Sequence, residues 1–384
     1  MKRFRLSITC VVLTTLLSVS LGNAQYHAGG RGLMYVHSAR TLSKGNLHSY
    51  FHSRFFGDMG KFQPQYFLNA YWNVQASFAL NYGLTNRFEL SLLPIVYQDT
   101  NRGEKGYNLP DDLFLKLKFG SMGSPGSRLK YGALLSTRLP LGGTHNVVLE
   151  PYSAGTLEIG IAGLASYARD ALFPDESFNL HLNLGFLSHN DAGKTLTELS
   201  SDTLSNTGVA SEFTYGLGLR YPFERLGLAL ELNGNYFIKQ PAPTAYSREN
   251  YLYLTPGLSY RISPRWQFDL AVDVRLASDS DETEYGFVDP TPEEMPGSYS
   301  GWRVNLGLKF EIIPSLLHRI YDNELANGKV VTRRELFEQL VREMQENDNS
   351  EKELKKVAAE RLKGEKEAGR LRVAGDGKKK EKKP

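Results

Sequence analysis

The chain has 384 residues, 41% hydrophobic and 11% aromatic, with 45 Lys and Arg against 42 Asp and Glu. That near balance gives no basic surface on which to expect nucleic acid. The one cysteine, Cys10, lies in an amino-terminal apolar run, so no disulfide framework or thiolate site is expected beyond it.

Residues 1–24 read as a secretory signal. Lys2, Arg3 and Arg5 form the basic start, 6–21 the apolar core, and Gly22, Asn23 and Ala24 the small-residue cleavage site. Removing the signal takes the formal charge from +3 to zero. Residues 25–46 are expected to be a lead-in, an extra strand or a small plug inside a lumen. Their glycines and lack of clean alternation favour a non-membrane segment, a lead-in or a plug.

From residue 47 onward, apolar and polar residues alternate with the period of a strand. Leu47, Phe51 and Phe55 oppose His48, Tyr50, His52 and Arg54, and Trp72 to Leu80 oppose Asn73, Gln75 and Ser77. Phe88, Leu90 and Leu92 oppose Glu89, in a segment whose Pro94 belongs near a strand end or a bulge. Leu113, Leu115 and Leu117 oppose Lys116 and Lys118, and Leu129, Tyr131 and Leu135 oppose Lys130 and Arg138. Ile159 and Ile161 oppose Glu158, Phe213 to Leu219 oppose Glu212 and Arg220, and Leu228, Leu230 and Leu232 oppose Glu231. Phe268, Leu270, Val272 and Val274 oppose Asp269, Asp273 and Arg275. The last segment, 301–312, sets Trp302, Val304, Leu306, Leu308, Phe310 and Ile312 against Arg303, Asn305, Gly307, Lys309 and Glu311.

No apolar run after the signal approaches the ~18 residues a helical span needs. Short turns at 84–86, 121–127, 170–176, 222–225 and 262–265 alternate with longer linkers at 57–71, 99–110, 140–155, 189–210, 238–250 and 277–300. Outer-membrane barrels sort their connections in this way, with short periplasmic turns and long external loops. The expected fold is therefore all-β: a transmembrane antiparallel β-barrel of about twelve strands over 47–312. The charged remainder, 313–384, is expected to be a helical and disordered tail in the periplasm. Thr332 and Glu335 form a capping box there, ahead of an apolar stripe from Leu336 to Met344.

The run Asn305, Gly307, Phe310, Ile312 resembles the closing-strand signal of bacterial outer-membrane barrels, which implies the barrel-assembly machinery as a partner. Three further segments, 81–94, 109–120 and 136–142, resemble the family of outer-membrane barrels assigned to a MetA-pathway of phenol degradation. The resemblance implies a transporter-like barrel in the outer membrane of a Gram-negative-type bacterium. Pro110 and Asp111 stand where that family usually carries a Gly-Asp pair.

A twelve-stranded barrel leaves a lumen roughly 10 Å wide at most once inward side chains are placed. Its expected lining carries both signs: Arg54, Lys116, Lys118, Lys130, Arg138, Arg220, Arg275, Arg303 and Lys309 against Glu89, Glu158, Glu212, Glu231, Asp269 and Asp273. These groups either set solute selectivity or close the barrel with internal ion pairs. The expected function is a passive channel or transporter for small solutes, hydrophobic, aromatic or anionic. The alternative is a closed structural barrel whose tail recruits a periplasmic protein or peptidoglycan. An outer-membrane phospholipase-type hydrolase is a third class, raised by Ser188, His189 and Asn190. Adjacent residues on a strand point to opposite faces and make no direct relay, so no catalytic residue is expected. Asp279 to Thr283 departs from a calcium loop, with Glu284 where its turn glycine belongs, so no metal or cofactor is expected. Outer-membrane lipids and lipopolysaccharide complete the expected partners.

Overall fold

The structure, a computed structural model, describes residues 30–62, 67–100, 107–124, 126–171, 173–196, 204–277, 281–284, 298–315 and 342. The signal read over 1–24 lies outside them, as does the tail apart from 313–315 and 342, and so do 279 and 280 of the acidic loop. Everything below belongs to the first of two compact units, which ends at Pro314.

The strands are β1 (Leu47–Phe62), β2 (Phe67–Gly83), β3 (Phe88–Thr100), β4 (Tyr107–Asn108), β5 (Leu113–Met122), β6 (Leu129–Leu139) and β7 (Glu158–Ala168). They continue with β8 (Asn179–Ser188), β9 (Ser211–Phe223), β10 (Leu226–Lys239), β11 (Leu252–Arg261), β12 (Trp266–Arg275) and β13 (Trp302–Ile313). β4 is a two-residue addition to the end of β3. Each of the others pairs antiparallel with its neighbours, and β13 returns to β1 in a register running from Leu47↔Ile313 to Phe55↔Val304. The result is a closed twelve-strand barrel with no free edge.

Alternation within each strand decides what surrounds the barrel. Leu217 is 40% exposed and Ile161 60%, whereas Glu89 is 1% and Glu158 0% exposed. A soluble protein would bury the leucine and expose the glutamate. The inversion fits a wall whose outside meets lipid and whose inside carries the polar groups. Aromatic pairs mark the end with the short turns: Phe88 with Phe119, Trp266 stacked on Phe310, and Tyr221 beside Phe223. Such girdles sit at the level of lipid headgroups. An arginine in place of Leu217, midway along β9, is expected to destabilise the folded barrel by about 2–4 kcal/mol. The same change at Leu226, beside a turn, is expected to cost about 0–1 kcal/mol. Urea titrations of refolding into lipid vesicles measure both.

The linker expected at 57–71 is corrected by the structure. β1 and β2 run on, 16 and 17 residues long, and pair as far as Phe62↔Phe67. Gly57, Asp58 and Gly60 have the composition of a loop, but cross-strand pairing with Phe67–Trp72 holds them extended. These two strands therefore exceed the ~9–11 residues a bilayer requires. Pro94 lies within β3 and has no register partner on β2, where pairing shifts between Ala76 and Ser77. Leu93 and Ile95 keep the inward alternation of Glu89 and Ser91, and they cluster with Tyr50, Ala79 and Phe114 inside the barrel.

At the other end the longer connections fold back over the mouth. Val148 and Leu149 pack with Phe56 and Tyr246, and Tyr152 packs with Ala210, Phe237 and Ala245.

Candidate functional site

The residues expected to line the lumen all stand at inward positions of their strands, and the structure sorts them into groups. Arg54 is bonded to Glu150 of a loop at 2.5 Å. Lys118 and Glu89 form an ion pair at 2.8 Å, as do Arg303 and Asp273. Arg303 also lies over the Tyr253 ring, 4.1 Å from its centroid. Lys116 is buried with its Nζ 3.4 Å from His37 Nε2. Lys130 and Arg275 lie at opposite rims, donating to the carbonyls of Ser124 and Tyr299. Asn305 is fully buried and bonds His52 across the β1–β13 seam, while Gly307 makes room for the Tyr50 ring, whose hydroxyl a Cβ would meet at 2.1 Å. Phe310 and Ile312 face outward on the same strand.

Residues 30–46 run through this polar interior. Glu231 accepts three successive backbone N–H groups, from Met34 at 3.0 Å and from Tyr35 and Val36 at 2.8 Å. Asn183 accepts the His37 N–H and donates to the His37 carbonyl. Ser166 accepts the Ala39 N–H and Glu89 the Leu42 N–H. The Tyr35 hydroxyl donates to Asp273 at 2.7 Å and lies 3.0 Å from Asn305. A segment without regular structure must find partners for its backbone groups, and here the wall supplies them. Glycines clear the path: a Cβ on Gly120 would come within 2.3 Å of the Ala39 carbonyl oxygen, and one on Gly83 within 2.1 Å of the Ser43 oxygen.

A second polar group closes the barrel near the long loops. Arg138 bridges Asp112 through its Nε and Glu158 at 3.5 Å. His189 sits between Glu158 at 3.1 Å and Glu212 at 3.9 Å, with the Tyr152 ring edge against it. Burial opposes charge on His189, but Glu158, Glu212 and Asp191 outweigh it and raise its pKa above the usual value. The ring thus engages carboxylates of the interior, while Ser188 and Asn190 on either side of it are more open.

Sequence reasoning passed over Leu93, Ile95, Phe114 and Leu134, which are buried on the inside despite being apolar. It also missed Glu150, whose partners Arg54 and Asn73 lie far away in sequence. The available signal was the inward glycines Gly83, Gly120, Gly132, Gly216 and Gly218, which leave a track too bare for a water-filled wall alone.

The family described as "Putative MetA-pathway of phenol degradation" matches residues 112–286. Over that span the chain matches this phenol-degradation family. Two of the three segments that carry the resemblance, 136–142 and most of 109–120, fall inside the match, and 81–94 precedes it. Among solved structures, an outer-membrane channel from Pseudomonas putida F1 is 15% identical, with 71% of this chain and 98% of that one covered and a TM-score of 0.44. The NanC porin is 10% identical, with 68% and 100% covered and a TM-score of 0.43. A mutant of the TodX monoaromatic hydrocarbon channel is 13% identical, with 76% and 96% covered and a TM-score of 0.35. No curated protein matches.

Proposed function

We propose that the protein is an outer-membrane channel for small solutes, with residues 30–46 acting as an internal plug. The observation that carries this is the way the segment is held. Glu231, Asn183, Ser166 and Glu89, on four separate strands, hold its backbone through side-chain hydrogen bonds rather than through strand pairing. Bonds of that kind exchange readily with water, so the segment can shift without unfolding the wall. A purely structural barrel has no need of a polar interior occupied by an exchangeable chain. The family description points to small aromatic solutes. In this reading the short turns and the tail lie in the periplasm and the long loops outside.

The test is single-channel recording of the refolded, signal-free protein in planar bilayers. Discrete, ion-selective steps are expected, with long closed intervals while the plug is seated. Silence from a verified folded barrel, both with the native plug and with its Glu231 anchor removed, would overturn the channel reading in favour of a closed structural barrel.

A further inference from the structure

The half of the lumen nearer the short turns contains a cavity, part of it open to solvent, bounded on one side by Gly30, Gly32, Leu33 and Met34. Arg220 from β9 and Lys309 from β13 line it, with Ser259 from β11 between them. The acids nearby already have partners. Asp175 is bound by Arg31 at 2.5 Å, Asp269 accepts the Gln267 amide at 2.7 Å, and Glu231 receives the three backbone N–H groups. Lys309 donates to the Gly30 carbonyl at 2.9 Å, a neutral acceptor. Arg220 makes no hydrogen bond or ion pair among the described residues. Arg220 thus presents an unbonded guanidinium to the cavity, within the field of Asp175 and Asp269, and its planar fork matches a carboxylate in bidentate fashion. Glu231 and Asp269 also line it, and the apolar part of the wall includes Met34, Ala229, Leu258 and Ala271.

We propose that this cavity is a binding site for a small organic carboxylate with an apolar body. The carboxylate sits on Arg220, with Lys309 as second cation, and the body lies against Met34, Ala229 and Ala271. The proposal rests on the channel reading and deepens it by naming a solute class. Its position beside residues 30–34 places the solute against the plug itself.

The site is tested by equilibrium binding, separately from conductance, so that either can fail alone. Fluorine NMR of the folded full-length protein in detergent would follow 4-fluorobenzoate, with 4-fluorobenzyl alcohol as the uncharged control. Saturable binding of the anion is expected, weakened at least tenfold by Arg220→Gln and retained in part by Arg220→Lys. Binding of the alcohol is expected to be weaker and unchanged by either substitution. Heat-modifiable gel mobility confirms that each variant is folded. Equal affinity of wild type and Arg220→Gln for the anion would overturn the proposal. So would equal binding of anion and alcohol, or absence of saturable anion binding, whatever the bilayer recordings show.

Discussion

Replacing Glu231 with alanine is expected to turn a mostly closed barrel into a mostly conducting one. Its carboxylate accepts the N–H groups of Met34, Tyr35 and Val36. Removing an acceptor from a buried donor costs about 1–3 kcal/mol. Three donors lose it together, and water entering the lumen offsets part of the loss, so a shift of about 3 kcal/mol toward the unseated plug is reasonable. That corresponds to a change of roughly 100-fold in the closed-to-open ratio, since about 1.4 kcal/mol is tenfold. Glu231→Gln keeps one carbonyl oxygen and is expected to fall between. Open-time fractions in single-channel traces measure the effect. Traces from the alanine variant that match wild type would mean that Glu231 does not hold the segment closed.

Arg138→Ala is expected to cost about 3–5 kcal/mol of barrel stability, the usual penalty for breaking a buried charge group by removing one partner. The substitution leaves Asp112 and Glu158, both fully buried, without their guanidinium. His189 adds a pH dependence whose sign is fixed by its raised pKa. A histidine that binds its proton more tightly in the folded state stabilises fully below its unfolded pKa, near 6.5. That contribution is lost as pH rises through the higher folded value. The urea midpoint of wild type should therefore fall as pH increases above 6.5, and His189→Gln should flatten the slope. A midpoint for Arg138→Ala within error of wild type would show that the ionic group contributes no net stability.

The wall of the barrel was legible because alternation is a local property. Arg54, Glu89, Lys118, Glu158 and Arg303 were placed inward by parity alone, and they are buried there. Their partners were not legible. Arg54 pairs with Glu150, which belongs to a loop, and Glu231 pairs with backbone rather than with any cation. Parity also fails beyond Ile95, where the register shifts and Gln98 and Thr100 turn into the lumen. The amino-terminal segment left the weakest trace, since chain held through its N–H groups needs no particular side-chain pattern. Only the bare inward glycines hint at it. The hairpin at 57–71 was misread for the opposite reason, its glycines suggesting a bend that cross-strand pairing overrides.

The way residues 30–46 are bonded constrains the order in which the molecule can be built. The segment leads directly into β1, yet its anchors are spread from Glu89 on β3 to Lys309 on β13. The seam that seals the cylinder joins β1 to β13, the first strand to the last. A segment joined to β1 and bonded to strands around the wall must already lie inward when the two sides meet, or be threaded afterwards through a filled bore. Final zippering and seating of residues 30–46 are thus one event in assembly, and the barrel is sealed around a segment already inside it.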